Sequence, residues 1–134
     1  MRGDGFTALV PQSWHVTRPR EAVVARSGGY LVSVTTFKLE KAYDPGRFGA
    51  VTKELDGVVE KLAGQAGAKV TERMTTTVDG RKIRAYRYTG AAGSMRIGFV
   101  LDGTREYQLF CRLPAKATDP AAGCALLFDS FKIS

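Results

Sequence analysis

"KVTERMTTTVDGRKIRAYRYTG", residues 69–90, is the stretch on which the fold turns. Asp79-Gly80 sits between two runs rich in Thr, Val, Tyr and Ile. A type I′ turn needs positive φ at both central positions, and Asp-Gly supplies that at little cost. The pair therefore predicts a β-hairpin with strands over Lys69–Val78 and Arg81–Thr89. Alternation places Lys82, Arg84, Tyr86 and Tyr88 on one face of the second strand, and Arg81 and Arg87 on the other.

Moving outward, Asp102-Gly103 repeats the signal between "SMRIGFVL" and "TREYQLFCRL". It predicts a second hairpin, Met95–Leu101 with Thr104–Leu113, again through a type I′ turn. "TGAAGS" between the hairpins reads as a flexible connection. Met95, Ile97, Phe99 and Leu101 share one side of their strand, and Tyr107, Leu109, Cys111 and Leu113 one side of the next. Val100 and Phe110 point the opposite way, so this sheet is expected to be at least partly covered on both faces.

Upstream, "YDPGRFGAVTKELDGVVEKLAG" predicts a helix. Asp44 is a suitable N-cap and Pro45 a suitable first-turn residue. Phe48, Val51, Leu55, Val58, Val59 and Leu62 form one apolar stripe, and Gly64 is the expected stop. Gly57 costs this helix about 1 kcal/mol relative to Ala, so packing must hold it. A second helix is expected from Pro120 to about Ser130, capped by Asp119, with Cys124, Leu127, Phe128 and Phe131 on one face. Short strands are expected in "GFTALVP", "EAVVAR" and "YLVSVTTFKL". The order is strands, helix, four antiparallel strands, helix: an α+β domain.

The two cysteines, Cys111 and Cys124, fall on the converging apolar faces of the last long strand and the last helix. A bridge between them would close a loop of about 15 residues, worth roughly 3 kcal/mol in the chain-entropy picture. Two buried free thiols, packing as small hydrophobes, are the alternative. The disulfide is favoured, and it implies an oxidising compartment. The spacing is not C-x-x-C, and no cluster of further ligands accompanies it, so no metal site is expected.

With 134 residues, 44% of them hydrophobic and 25% charged, the chain suits one soluble domain over 1–134. No apolar run is long enough for a membrane helix. "MRGDGFTALV" contains no signal-peptide core. Either Met1 is the native start of a cytoplasmic protein, or a leader has been removed from an extracytoplasmic one; the disulfide favours the second. The net charge is +7, and its excess lies on the hairpins.

Arg81, Lys82, Arg84 and Arg87 are candidates for binding an anionic partner. Tyrosines interleaved with cations also bind single-stranded nucleic acid, but the more economical reading packs the tyrosines under a helix with the charges in solvent, and no RNP-type motif is present. Tyr86, Tyr88 and Tyr107 are candidates to line a pocket between sheet and long helix. His15 lacks a nucleophile elbow to serve and reads as a surface residue. Asp56 and Glu60, one helical turn apart, read as a solvated helix face with Lys53 beside Asp56. Arg2-Gly3-Asp4 matches the integrin tripeptide by chance at a chain end. No catalytic set and no cofactor motif emerges.

Phe6, Pro11 and Trp14 in the opening segment, the aromatic-rich strand Tyr107–Leu113, and the closing Ser130-Phe131 together resemble the PsbP-like fold. That fold is shared by the extrinsic P subunit of photosystem II, a Ran-binding nuclear import factor and many bacterial secreted or lipoprotein domains. The resemblance implies an antiparallel sheet of six to seven strands sandwiched between helices, with no conserved catalytic set. It also resembles small actinobacterial extracytoplasmic proteins with one Cys on the last strand and one on the last helix. An Asn-free composition rich in Ala, Gly, Val and Arg suits a GC-rich bacterial genome. The resulting expectation is a non-enzymatic extracytoplasmic accessory module for a protein or an anionic envelope component. A small-ligand-binding domain or cryptic enzyme is the alternative, and nucleic-acid binding through the basic hairpin is a third reading.

Overall fold

The computed structural model describes residues 1–114 and 122–134. Ten strands follow the chain: β1 (Arg2–Gly3), β2 (Phe6–Thr7), β3 (His15–Thr17), β4 (Ala22–Ser27), β5 (Tyr30–Lys38), β6 (Ala68–Val78), β7 (Arg81–Gly90), β8 (Gly93–Asp102), β9 (Arg105–Leu113) and β10 (Lys132–Ile133). A 3-10 turn, Pro45–Arg47, leads into helix α1 (Phe48–Gln65) between β5 and β6, and helix α2 (Ala122–Ser130) precedes β10. The seven longer strands form one antiparallel sheet in the order β3-β4-β5-β9-β8-β7-β6. The first and last short strands meet in a separate three-stranded sheet, β1-β2-β10.

The alternation predicted for the hairpins separates two cores. On one face, Leu55, Val59 and Ala63 of α1 pack on Tyr86, Tyr88, Met95, Ile97 and Phe99. On the other, Cys124, Leu127, Phe128 and the following Phe131 pack with Phe6 on Ile83, Ala85, Val100, Tyr107, Leu109 and Cys111. The sheet is thus sandwiched between one helix and another helix with the N-terminal ribbon. Gly98 makes the second layer possible: a Cβ there would lie 2.7 Å from Cε2 of Phe128. The proposed Asp119 cap and the start at Pro120 lie outside the described residues.

Cys111 and Cys124 form a disulfide with Cα atoms 5.6 Å apart, joining β9 to α2. Both are almost fully buried.

Four local expectations are corrected. Asp79 and Gly80 do have φ of 50° and 71°, as a type I′ turn requires. In the second hairpin, however, Asp102 pairs with Arg105, so the central residues are Gly103 and Thr104. Gly103 (φ 56°) is then the first central residue, the position at which a type II′ turn uses glycine. Each pairing shifts by two residues, which preserves every facing, so the layers are as expected. "TGAAGS" is no flexible link: Gly90 pairs with Gly93 around a tight Ala91-Ala92 turn. Helix α1 passes through Gly64 and stops before Gly67, whose φ of 66° gives the left-handed exit. Val58 is 48% exposed, because the buried row runs Leu55, Val59, Ala63 and leaves Val58 beyond its edge.

Candidate functional site

The loop between β5 and the 3-10 turn is held against the β8–β9 turn by two backbone hydrogen bonds. Leu39 N–H donates to the Thr104 carbonyl and Tyr43 N–H to the Gly103 carbonyl, each at 2.7 Å. Asp44 then accepts from Gly46 N–H at 2.9 Å, capping the 3-10 turn as its sequence suggests. This strapping holds Tyr43 over the end of the sheet, between two adjoining cavities that share Tyr43 and Leu101 as walls.

The inner cavity, about 210 Å³, lies where α1 meets the sheet. Its apolar walls are Leu39, Val51, Leu55 and Leu101, with Lys41, Asp44, Arg47, Glu54 and Glu106 supplying charge. Glu106 faces the α1 layer from β9, on the side of its strand that also carries Phe110. Burial raises its carboxyl above the usual range. Among the described residues its carboxylate has no hydrogen-bond or ion-pair partner. Burial, and then the charge of Asp44, raise the Tyr43 phenol. The outer cavity, about 390 Å³, is lined by Tyr43, Pro45, Arg81, Lys82, Leu101 and Asp102.

Only two of the four basic candidates reach this site, and each of the four is already engaged. Arg81 pairs with Asp79 at 2.8 Å and Asp102 at 3.4 Å. The Lys82 ammonium lies 4.5 Å from the ring centre of Phe48. Arg84 pairs with Asp56 at 3.3 Å, and Arg87 with Glu72 at 3.4 Å. The alternation of β7 also divides them between the two faces of the sheet, so they form no single cationic patch.

The tyrosines are likewise separated. Tyr86 and Tyr88 are buried in the α1 layer, whereas Tyr107 is buried on the opposite face against Phe6 and Phe131. None of the three lines either of the two cavities beside Tyr43. The Tyr86 hydroxyl donates to Asp56, and Arg84 Nε donates to the same carboxylate oxygen. Burial works to raise the Asp56 carboxyl, but these two hydrogen bonds and the charges of Arg84 and Arg73 outweigh it and hold it low. Asp56 and Glu60 are therefore not a plain solvated face. Asp56 pins α1 to β7, and Glu60 pairs with Arg73 of β6. Lys53 does not pair with Asp56; the strand supplies its cation instead.

His15 is exposed on the edge strand β3. Among the described residues there is no cluster of His, Cys, Asp and Glu fit to hold a metal ion, and no helix long and apolar enough to cross a membrane.

Sequence reasoning passed over Tyr43, Leu101 and Glu106 as site residues. The signal for Glu106 was present: it shares strand parity with Phe110, which the alternation turned toward a covered face. A carboxylate on that face is a departure that function or a partner must explain.

No protein-family model matches the chain, and no curated protein does. Solved structures do. A cyanobacterial PsbP (CyanoP) from Synechocystis superposes with a TM-score of 0.64 over 97% of this chain and 87% of its own, at 17% identity. A Bacteroides thetaiotaomicron protein superposes with a TM-score of 0.57 over 97% of this chain and 45% of its own, at 9% identity. The chain has a PsbP-like fold. At these identities the likeness concerns the fold alone.

Proposed function

We propose that this chain is a non-enzymatic extracytoplasmic binding module that engages a protein partner at the strapped end of its sheet. The observation that carries the reading is the buried Cys111–Cys124 bridge. Stable disulfides belong to oxidising compartments. The adjoining cavities around Tyr43 and Leu101 give the module a concave surface with an aromatic anchor and mixed charge at its rim. A protein is favoured over an anionic polymer or membrane because Arg81, Lys82, Arg84 and Arg87 are engaged within the fold.

The experiment is thiol trapping in cells that make the protein. Cells are quenched with a maleimide under denaturing, non-reducing conditions, and the fractions are separated. Both cysteines should escape labelling, and the protein should lie outside the cytoplasmic fraction. Labelled cysteines on cytoplasmic protein would overturn the reading.

A second reading, small-ligand binding between sheet and long helix, has its own support. The inner cavity lies at that place, and its volume falls below the range of drug-sized sites, which suits a compact ligand.

A further inference from the structure

We infer that the inner cavity takes an alkylammonium group, its nitrogen on the Glu106 carboxylate and its carbon chain against Leu39, Val51, Leu55 and Leu101. The inference rests on the reading of this end of the sheet as the binding end. Four properties of the site specify the ligand.

First, Glu106 is half-buried and, among the described residues, its carboxylate pairs with no other side chain, although Lys41 and Arg47 line the same cavity. A carboxylate in an apolar wall is unfavourable unless a cation or donors complete it. A ligand that brings its own cation regains what burial costs. Second, Leu39, Val51, Leu55 and Leu101 give the wall an aliphatic part, which rewards a carbon chain, beside the charged Lys41, Asp44, Arg47 and Glu54. Third, the volume, about 210 Å³, admits a short chain and excludes large ring systems. Fourth, Tyr43 stands at the boundary between the inner and outer cavities, where its ring face can meet a passing cation. An anion is disfavoured because the carboxylates of Asp44, Glu54 and Glu106 outnumber the cations of Lys41 and Arg47 in the lining.

The same group occurs in a free short-chain amine and in a lysine side chain of a partner protein. The intact chain is titrated with n-butylammonium chloride, with n-butanol, and with a short peptide carrying one lysine, each followed by amide chemical shifts. Butylammonium should bind saturably and shift resonances of Leu39, Tyr43, Leu55 and Leu101. Butanol, which has the same chain without the charge, should bind at least tenfold more weakly, and Glu106→Gln should lose at least tenfold for the amine. A peptide that binds more tightly than the free amine identifies a partner's lysine as the source; the reverse order identifies a small molecule. Absence of saturable amine binding, equal binding of butanol, or undiminished binding by Glu106→Gln would overturn the inference. Those failures leave the compartment result of the thiol experiment untouched, and cytoplasmic thiols would leave the amine result untouched.

Discussion

Two carboxylates in the layer between α1 and the sheet, Asp56 on the helix and Glu106 on β9, respond to pH with opposite sign. Burial raises Glu106 with nothing to offset it, so folding favours its protonated form. Its contribution is fully present below the ordinary carboxylate range and is lost as pH rises through its folded value. Asp56 is the reverse case: Tyr86 and Arg84 favour its charged form, and that stabilisation is lost as pH falls. At pH 7 Glu106→Gln should therefore raise the melting temperature, with the gain vanishing below about pH 4. Asp56→Asn should cost about 1–2 kcal/mol at pH 7, because the Tyr86 hydroxyl and the Arg84 guanidinium then face a neutral amide in place of a carboxylate, and that cost should shrink in acid. Thermal melts of both variants across pH 3–8 check the two signs together. The different fates of these residues were only half legible in the sequence. Helical spacing placed Asp56 off the apolar stripe, but a side chain at the margin of a helix reaches a neighbouring strand only once the sheet is built. Glu106 was legible through its parity with Phe110, yet a charge within an aromatic strand reads as solvent-facing until the covering helix is in place.

Among the elements, the hairpins were the most readable and the short strands the least. Asp79-Gly80 carries its turn in its own backbone preferences, and alternation then assigns every face. Gly103-Thr104 was misplaced by one position because Asp-Gly and Gly-Thr both suit a hairpin, and cross-strand packing chooses between them. Strands β1, β3 and β10 are two or three residues long and have no period to detect. They form because neighbouring backbone is already in place. Helix α2 depends on its layer in the same way. Gly98 admits Phe128, with Ile83 close by: a Cβ at Gly98 would lie 3.2 Å from Cδ1 of Ile83. Gly98→Ala should therefore cost about 1–3 kcal/mol in chemical denaturation. Gly57 of α1 is exposed and faces open space, so Gly57→Ala should gain up to about 1 kcal/mol. Opposite outcomes for the same chemical change would separate a glycine required by packing from one the helix merely tolerates.

For the molecule as a whole, the cations of β7 do not gather into one binding face. Arg81 and Arg87 lie on one side of the sheet and Lys82 and Arg84 on the other, and the three arginines pair with Asp56, Glu72, Asp79 and Asp102. A single-stranded oligonucleotide should therefore show no saturable binding at 0.15 M salt in a polarisation titration, despite the net charge of +7. The covalent bridge acts on a different property. In a molecule drawn out by its two ends, β1 and β10 peel from β2 pair by pair, since each is held to it by only two pairings. The sheet then opens, but tension cannot enter the segment between Cys111 and Cys124, thirteen positions apart. The fully extended oxidised chain should fall about 40 Å short of the reduced one. The segment joining β9 to α2 thus bears no load while the sulfurs stay joined, and the closing helix remains tethered to its strand after the rest of the molecule has given way.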